Sequence, residues 1–286
     1  HRPNRRQRQM CIRDSVWTGR KDIFGDRFTK ELFKNKSRTS LSYVDDAKRR
    51  FYRPVNLLEL LKLKREYAGS QLIAGGTDLT QRGGEAECMS LISLEGVKEL
   101  NEIITTEEAW EIGAAVPLTE ITEQLGHECQ TFDKTMHRFG SRAVRNRATL
   151  GGYLATAWET GQLTPLLMAL NARVTLLSED GERDAPISKF YTEGGGTILT
   201  TDEVIRSIII PRHTESTLSD RGITTRLCDT YTVAPRRTLC EPYATGGFAV
   251  ELRDRKIAKA WIAYSGIDKH PVRARDAEQY LAGKVW

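Results

Sequence analysis

Two glycine pairs constrain this chain more than any other feature. Gly75-Gly76 closes the apolar run of "LIAGGTDLT", and Gly151-Gly152 sits in "ATLGGYLATA". Glycine loses more chain entropy on ordering than any other residue, so a pair marks a place where the backbone bends sharply or lets something approach closely. The first pair follows a short apolar strand and precedes Thr77 and Asp78. Successive amides in such a turn can point into one concavity that an anion can enter. The second is flanked by Thr149 and followed by Ala155 and Ala157, small residues that clear space beside the backbone. Each pair also reads as a plain tight turn. No G-x-G-x-x-G and no G-x-x-x-x-G-K-[ST] occurs, which disfavours both a Rossmann dinucleotide site and a Walker-type nucleotide site.

The pattern around the pairs is mixed. In "PVNLLELLKLKREYAG", Asn56 is placed to cap a helix with Glu59 at the capping-box position. "QLIAGG", "CMSLISL", "NEIITT" and "AWEIGAAV" read as strands, grouped with that helix into one small α/β unit. From Pro117 helical periods take over in "LTEITEQL", "FDKTMHRFG" and "QLTPLLMALN", followed by the strand "ARVTLL", a hairpin turn at Asp180-Gly181 and the strand "EVIRSIII". Residues 212–222 read as a polar loop. "YATGGFAVEL" and "KIAKAWIAYSGI" alternate well enough to pair across "RDRK", and "VRARDAEQYLAG" reads as a helix ending at Gly283. The expected organisation is α+β. Residues 1–15 form a tail, 16–47 a linker with one docking helix, and 48–116 and 117–215 two subdomains. A truncated C-terminal α+β domain of two strands and one helix spans 223–286. The tail is expected to be non-native or disordered, because "QMCIRDS" reads like translated adapter sequence.

Charge narrows the partners. The chain has 43 lysines and arginines against 38 acids, but five of those arginines lie in His1–Arg13, so the remainder is balanced. A neutral body argues against a nucleic-acid binder, which needs a basic face on the folded domain. No run reaches the roughly 18 apolar residues of a membrane helix. Five scattered cysteines without a C-x-x-C pair point to free thiols in a reducing, cytoplasmic setting, with no metal site in this chain. Nothing among His127, His137, His213 and His270 has the spacing of a catalytic triad or ligand set, so no catalytic side chain is expected.

The order of the pieces carries a resemblance. "FYRPVNLLELL", "LIAGGTDLT", "IGAAVPLTEI", "RFGSRAVRNRATLGGYLATA", "TPLLMALNARV", "DEVIRSIIIP" and "IAYSGIDKHPVRARDAE" resemble, in sequence and spacing, the FAD-binding part of molybdenum hydroxylases. The similarity is to the xanthine dehydrogenase small subunit and the CO dehydrogenase medium subunit, and it covers about residues 48–286.

This resemblance implies a two-subdomain flavoprotein fold with FAD in the cleft between them. Residue by residue, Leu72, Ile73, Ala74, Gly75, Gly76, Thr77, Asp78 and Leu79 would wrap the FAD diphosphate. Thr149, Leu150, Gly151, Gly152 and Tyr153 would form a second cradle, Phe139 would lie against the isoalloxazine, and Gln162 and Ile205 would flank the cofactor. It further implies an oxidoreductase module that passes electrons from iron–sulfur clusters through FAD to NAD or another acceptor. The molybdopterin-binding large subunit and the iron–sulfur domain are expected in partner or upstream segments. The chain departs from the family pattern at four places. Tyr153 stands where asparagine is usual, Gln162 where aspartate is usual, and Thr232 at a lysine position. Leu239-Cys240-Glu241 replaces an acidic-acidic-isoleucine segment. The alternative these departures leave is a diverged, cofactor-free scaffold subunit of such a complex.

Overall fold

Strands β1 (Leu41–Val44) and β2 (Arg50–Arg53) pair antiparallel at the start of the described residues. In this computed structural model the described residues are 39–81, 90–212, 216–219, 222–236 and 240–286. The next helix, α1 (Leu57–Glu66), begins where Asn56 Oδ1 accepts the Glu59 amide at 2.9 Å and Glu59 Oε2 accepts the Val55 amide at 3.0 Å. These bonds satisfy donors that a helix start leaves without partners. Leu60 and Leu61 then face inward against Tyr52 and Ile92. Strand β3 (Gln71–Ile73) follows, Gly76 bends the chain with φ of 72°, and α2 (Thr77–Gln81) starts at once. Strand β4 (Ser90–Ser93) lies parallel to both β2 and β3, giving the sheet order β1-β2-β4-β3.

The second sheet gathers β5 (Ile103–Thr105), β6 (Ala109–Gly113), β7 (Arg173–Ser178), β8 (Gly181–Pro186) and β9 (Val204–Pro211) in the order β5-β6-β9-β7-β8. Five helices lie between β6 and β7: α3 (Leu118–Leu125), α4 (Gln130–Arg138), α5 (Arg142–Arg145), α6 (Leu150–Thr156) and α7 (Leu163–Ala169). Their apolar sides meet the sheet in the largest core of the molecule, where Leu118, Ile121, Leu150, Leu154, Leu166 and Ile208 have no exposed surface. Each such side chain contributes roughly 1.5–3 kcal/mol by leaving water. The β7–β9 pairing shifts register between Thr175 and Leu176, beside the start of β9 at Val204 and Ile205.

The third sheet runs β10 (Ser216–Ser219), β11 (Gly222–Val233), β12 (Ala244–Arg253), β13 (Lys256–Ser265) and β14 (Val272–Arg273) in chain order, with α8 (Arg275–Leu281) against β13. Its inner face docks on α4 and α7 through polar contacts. Thr131 Oγ1 donates to the Cys228 carbonyl at 2.8 Å, Thr135 and Thr230 hydroxyls meet at 2.9 Å, and Arg226 donates to the Ala169 carbonyl at 3.1 Å.

Four expectations are corrected here. Leu41–Val44 is a strand inside what read as linker. The strands Ile103–Thr105 and Ala109–Gly113, grouped above with the first unit, hydrogen-bond into the second sheet. Alternation shows that Trp110 and Ile112 share a buried face but not which strand lies beside them. The polar loop at 212–222 contains β10 and the first residue of β11. The C-terminal region is a five-stranded sheet with the expected helix, rather than two strands and a helix. β11 hid because its inward residues Arg226, Cys228, Thr230 and Thr232 are polar or weakly apolar, so no apolar face marks it. Residues 1–38, with the expected tail and docking helix, as well as Cys88, His213 and Leu239, lie outside the described residues.

Candidate functional site

The bend after β3 and the start of α6 open onto one cleft of about 450 Å³. All eight residues from Leu72 to Leu79 line it, and so do Phe139, Thr149, Gly151, Gly152, Tyr153 and Ile205. The two glycine pairs therefore share a crevice.

What the glycines approach is, first, the protein itself. A Cβ on Gly75 would lie 1.7 Å from the Arg147 carbonyl oxygen, and one on Gly151 would lie 2.5 Å from the Ala114 Cβ. Both distances are far inside contact, so each residue must be glycine for the two sides of the cleft to close up. Asp78 Oδ2 adds a long link across, accepting from the Thr156 hydroxyl at 3.5 Å.

The two bends offer different chemistry. In the second, the pair lies in the first turn of α6 rather than in a free turn. The Gly151 amide donates to the Ala114 carbonyl at 3.0 Å, Gly152 to Thr149 Oγ1 at 3.1 Å and Tyr153 to the Thr149 carbonyl at 2.9 Å. The cradle of free amides expected at Thr149–Tyr153 is thus corrected: those donors have partners, and a Cβ on Gly152 would meet Thr149 Oγ1 at 2.9 Å. In the first bend, Gly76 accepts from the Thr80 amide at 3.1 Å, while no partner within the described residues takes the amides of Gly75, Gly76, Thr77 or Leu79. Aligned donors of this kind at a Gly-rich turn stabilise an anion. Among the described residues the lining holds no lysine, arginine or histidine, so the positive potential they supply comes from these amides.

The lining carries two acids. One is Asp78; the other, Glu203, is 9% exposed and is held by Arg183, whose Nε donates to Oε1 and whose Nη2 donates to Oε2 at 2.8 Å. These hydrogen bonds hold the Glu203 carboxyl below the usual carboxylate range.

The far end of the cleft is aromatic. The Phe139 and Tyr153 rings meet edge to face, 5.7 Å apart at 80°. Burial pushes the Tyr153 phenol above its ordinary range, so it stays neutral. Two expected residues stand elsewhere. Leu150 is wholly buried in the core, and Gln162, expected beside the cofactor, precedes α7 without lining the cleft; its Oε1 is buried without a partner. Sequence reading missed Trp158, Leu199, Glu203 and Val204, which reach the cleft through tertiary contacts with no local motif.

Elsewhere the chemistry is quiet. Cys129, Cys228 and Cys240 are free thiols, and burial pushes Cys228 up to about 12. Among the described residues no cluster of histidine, cysteine, aspartate and glutamate has metal-site geometry. No helix among them is long and apolar enough to cross a membrane.

Comparison with known proteins agrees with this geometry. Residues 46–213 match the family described as the FAD binding domain in molybdopterin dehydrogenase, and residues 229–286 match the CO dehydrogenase flavoprotein C-terminal domain. Xanthine dehydrogenase 1 of Arabidopsis thaliana is 29% identical over 256 residues, covering 82% of this chain and 18% of its own length. The chain thus spans under a fifth of the first relatives it matches. The nicotinate dehydrogenase FAD-subunit of Eubacterium barkeri is 28% identical over 250 residues, covering 82% of this chain and 79% of that one. Among solved structures, carbon monoxide dehydrogenase from Hydrogenophaga pseudoflava shares the fold with a TM-score of 0.74 at 20% identity, over 82% of this chain and 80% of that one. Quinoline 2-oxidoreductase from Pseudomonas putida 86 does so with a TM-score of 0.71 at 23% identity, over 82% and 79%. The first family covers more than half of the sequence, and the cleft has the amides, the glycine-cleared wall and the aromatic end that a flavin dinucleotide needs: the chain belongs to the FAD-binding domain family of the molybdopterin dehydrogenases.

Proposed function

We propose that this chain is the flavin-carrying electron-transfer module of a molybdenum hydroxylase resembling xanthine dehydrogenase, receiving electrons from iron–sulfur clusters and delivering them to NAD or another acceptor. The observation that carries the reading is the cleft shared by the two glycine bends, where, among the described residues, the first bend's amides have no partner and the lining has no cation. A diphosphate brings about two negative charges, which oriented backbone donors stabilise without a lysine.

On this reading Gly75, Gly76, Thr77 and Leu79 hold the diphosphate through their amides. Gly151 and Gly152 line the cleft as well, and Phe139, Tyr153 and Ile205 enclose the ring end. Bound FAD supplies the redox chemistry, accepting and releasing electrons singly or in pairs. The protein's own part is to place the ring, exclude water from one side of it and keep charged side chains off it; Arg183 serves this last purpose by neutralising Glu203. The molybdopterin centre and the clusters belong to partner subunits or other segments.

Reconstitution tests the proposal. The purified chain incubated with FAD and desalted should keep a flavin absorption band, melt at a higher temperature, and lose that band when mixed anaerobically with NADH. Retention of FAD that only a chemical reductant bleaches would make NAD the wrong acceptor. A chain that keeps no flavin would instead be a cofactor-free scaffold.

A further inference from the structure

Tyr153 stands where the family pattern has asparagine, and the structure shows a socket built around it. Its hydroxyl accepts the Leu163 amide at 2.9 Å, the Thr164 amide at 3.3 Å and the Thr164 hydroxyl at 3.4 Å. Gly161 leaves room for it, since a Cβ there would lie 2.3 Å from the phenol oxygen. The loop that carries Gly161 is fixed from behind. Ser265 Oγ donates to the Gly161 carbonyl at 2.8 Å, the Gly266 amide donates to the Glu159 carbonyl at 2.8 Å, and the Thr160 hydroxyl donates to Glu241 at 2.8 Å. A ring tied by hydrogen bonds and hemmed in at its tip has one orientation.

That orientation sets the Tyr153 and Phe139 rings edge to face, and the backbone at Phe139 is itself pinned. Arg145 Nη1 donates to the Phe139 carbonyl at 2.8 Å and to the Gly140 carbonyl at 2.9 Å. The two rings thus form a right-angled apolar corner, both lining the cleft. Such a pair favours this geometry, and its exposed faces suit a flat aromatic system. An asparagine at 153 could neither reach the α7 amides in this way nor complete the corner.

We propose that Tyr153 is a positioning residue that, together with Phe139, fixes how deeply a planar heterocycle sits in the cleft. The inference rests on the flavin reading above and names the ring half of the ligand as its object. The diphosphate half is left to the first glycine bend.

The experiment compares dissociation constants of FAD and ADP for the unaltered chain, Tyr153→Ala and Tyr153→Phe, with the visible spectrum of bound flavin as a second readout. ADP carries the diphosphate but no ring system. Tyr153→Ala should weaken FAD about tenfold more than it weakens ADP, the scale of one lost aromatic contact, and blur the fine structure of the flavin band. Tyr153→Phe keeps the corner and should restore the FAD-to-ADP ratio to within about threefold, although it leaves two α7 amides without their acceptor. If Tyr153→Ala does not fold, a Tyr153→Phe ratio or spectrum shifted as far as a missing ring would shift it overturns the proposal. So does an unchanged ratio in Tyr153→Ala. An unaltered chain that binds ADP but not FAD contradicts the ring placement alone, whereas one that binds neither overturns the flavin reading and this inference together.

Discussion

A Cβ built on Gly75 would lie 1.7 Å from the carbonyl oxygen of Arg147, so this glycine is where the two halves of the cleft touch. The bend after β3 and the segment before α6 meet here backbone to backbone. The same glycine serves the fold and the site.

Replacing Gly75 with alanine forces backbone against backbone, which no rotamer change relieves. Overpacking typically costs about 1–3 kcal/mol, and Gly75→Ala should fall at the upper end. Gly194, with nothing within 4 Å of its would-be Cβ, is the matched control. Gly194→Ala should stay within roughly 0.5 kcal/mol of the parent. Urea denaturation of the three proteins checks both, and equal stability of the two variants would contradict the close contact.

Glu203 gives a pH dependence of definite sign. Its carboxyl is depressed by the Arg183 hydrogen bonds, so folding favours the ionised form. The stabilisation is present above the unfolded glutamate pKa and is lost as pH falls through the lower, folded value. Glu203→Gln should therefore be less stable than the parent at neutral pH, with the gap closing in acid. A gap that persists unchanged at the acid end would show that charge plays no part.

Trp158 lines the cleft and is 38% exposed, which makes it an internal reporter. Added FAD should quench its emission, and Trp158→Phe should remove most of that quenching while changing the affinity by less than about threefold. Quenching that survives in Trp158→Phe would place the ligand nearer another indole.

Much of this was legible in the sequence for local physical reasons. The cap at Asn56, the strand running into Gly75-Gly76 and the Asp180-Gly181 hairpin each arise from neighbouring residues. So does the pairing of β12 with β13 across Asp254 and Arg255, both at positive φ. Sheet membership was not legible. Ala109–Gly113 alternates correctly, yet it lies beside β9, nearly a hundred residues on, and Gly113 must lack a side chain because a Cβ there would meet the Leu100 carbonyl at 2.4 Å. The site divides the same way. Except for Leu150 and Gln162, the motif-borne residues line one cleft, whereas Glu203 and Trp158 arrive by tertiary contact. The second glycine pair lines the same cleft, but the partners of its amides, Ala114 and Thr149, become visible only in three dimensions.

The central claim is that first-bend amides grip a diphosphate while the rest of the cleft encloses the flavin ring. Calorimetric titration of the purified chain with FAD and with riboflavin, which has the ring but no phosphate, tests it most directly. The account predicts one FAD bound per chain and riboflavin at least about a hundredfold weaker, as expected when charge-assisted backbone hydrogen bonds are missing. Riboflavin binding as tightly as FAD, or no binding of either, would contradict it.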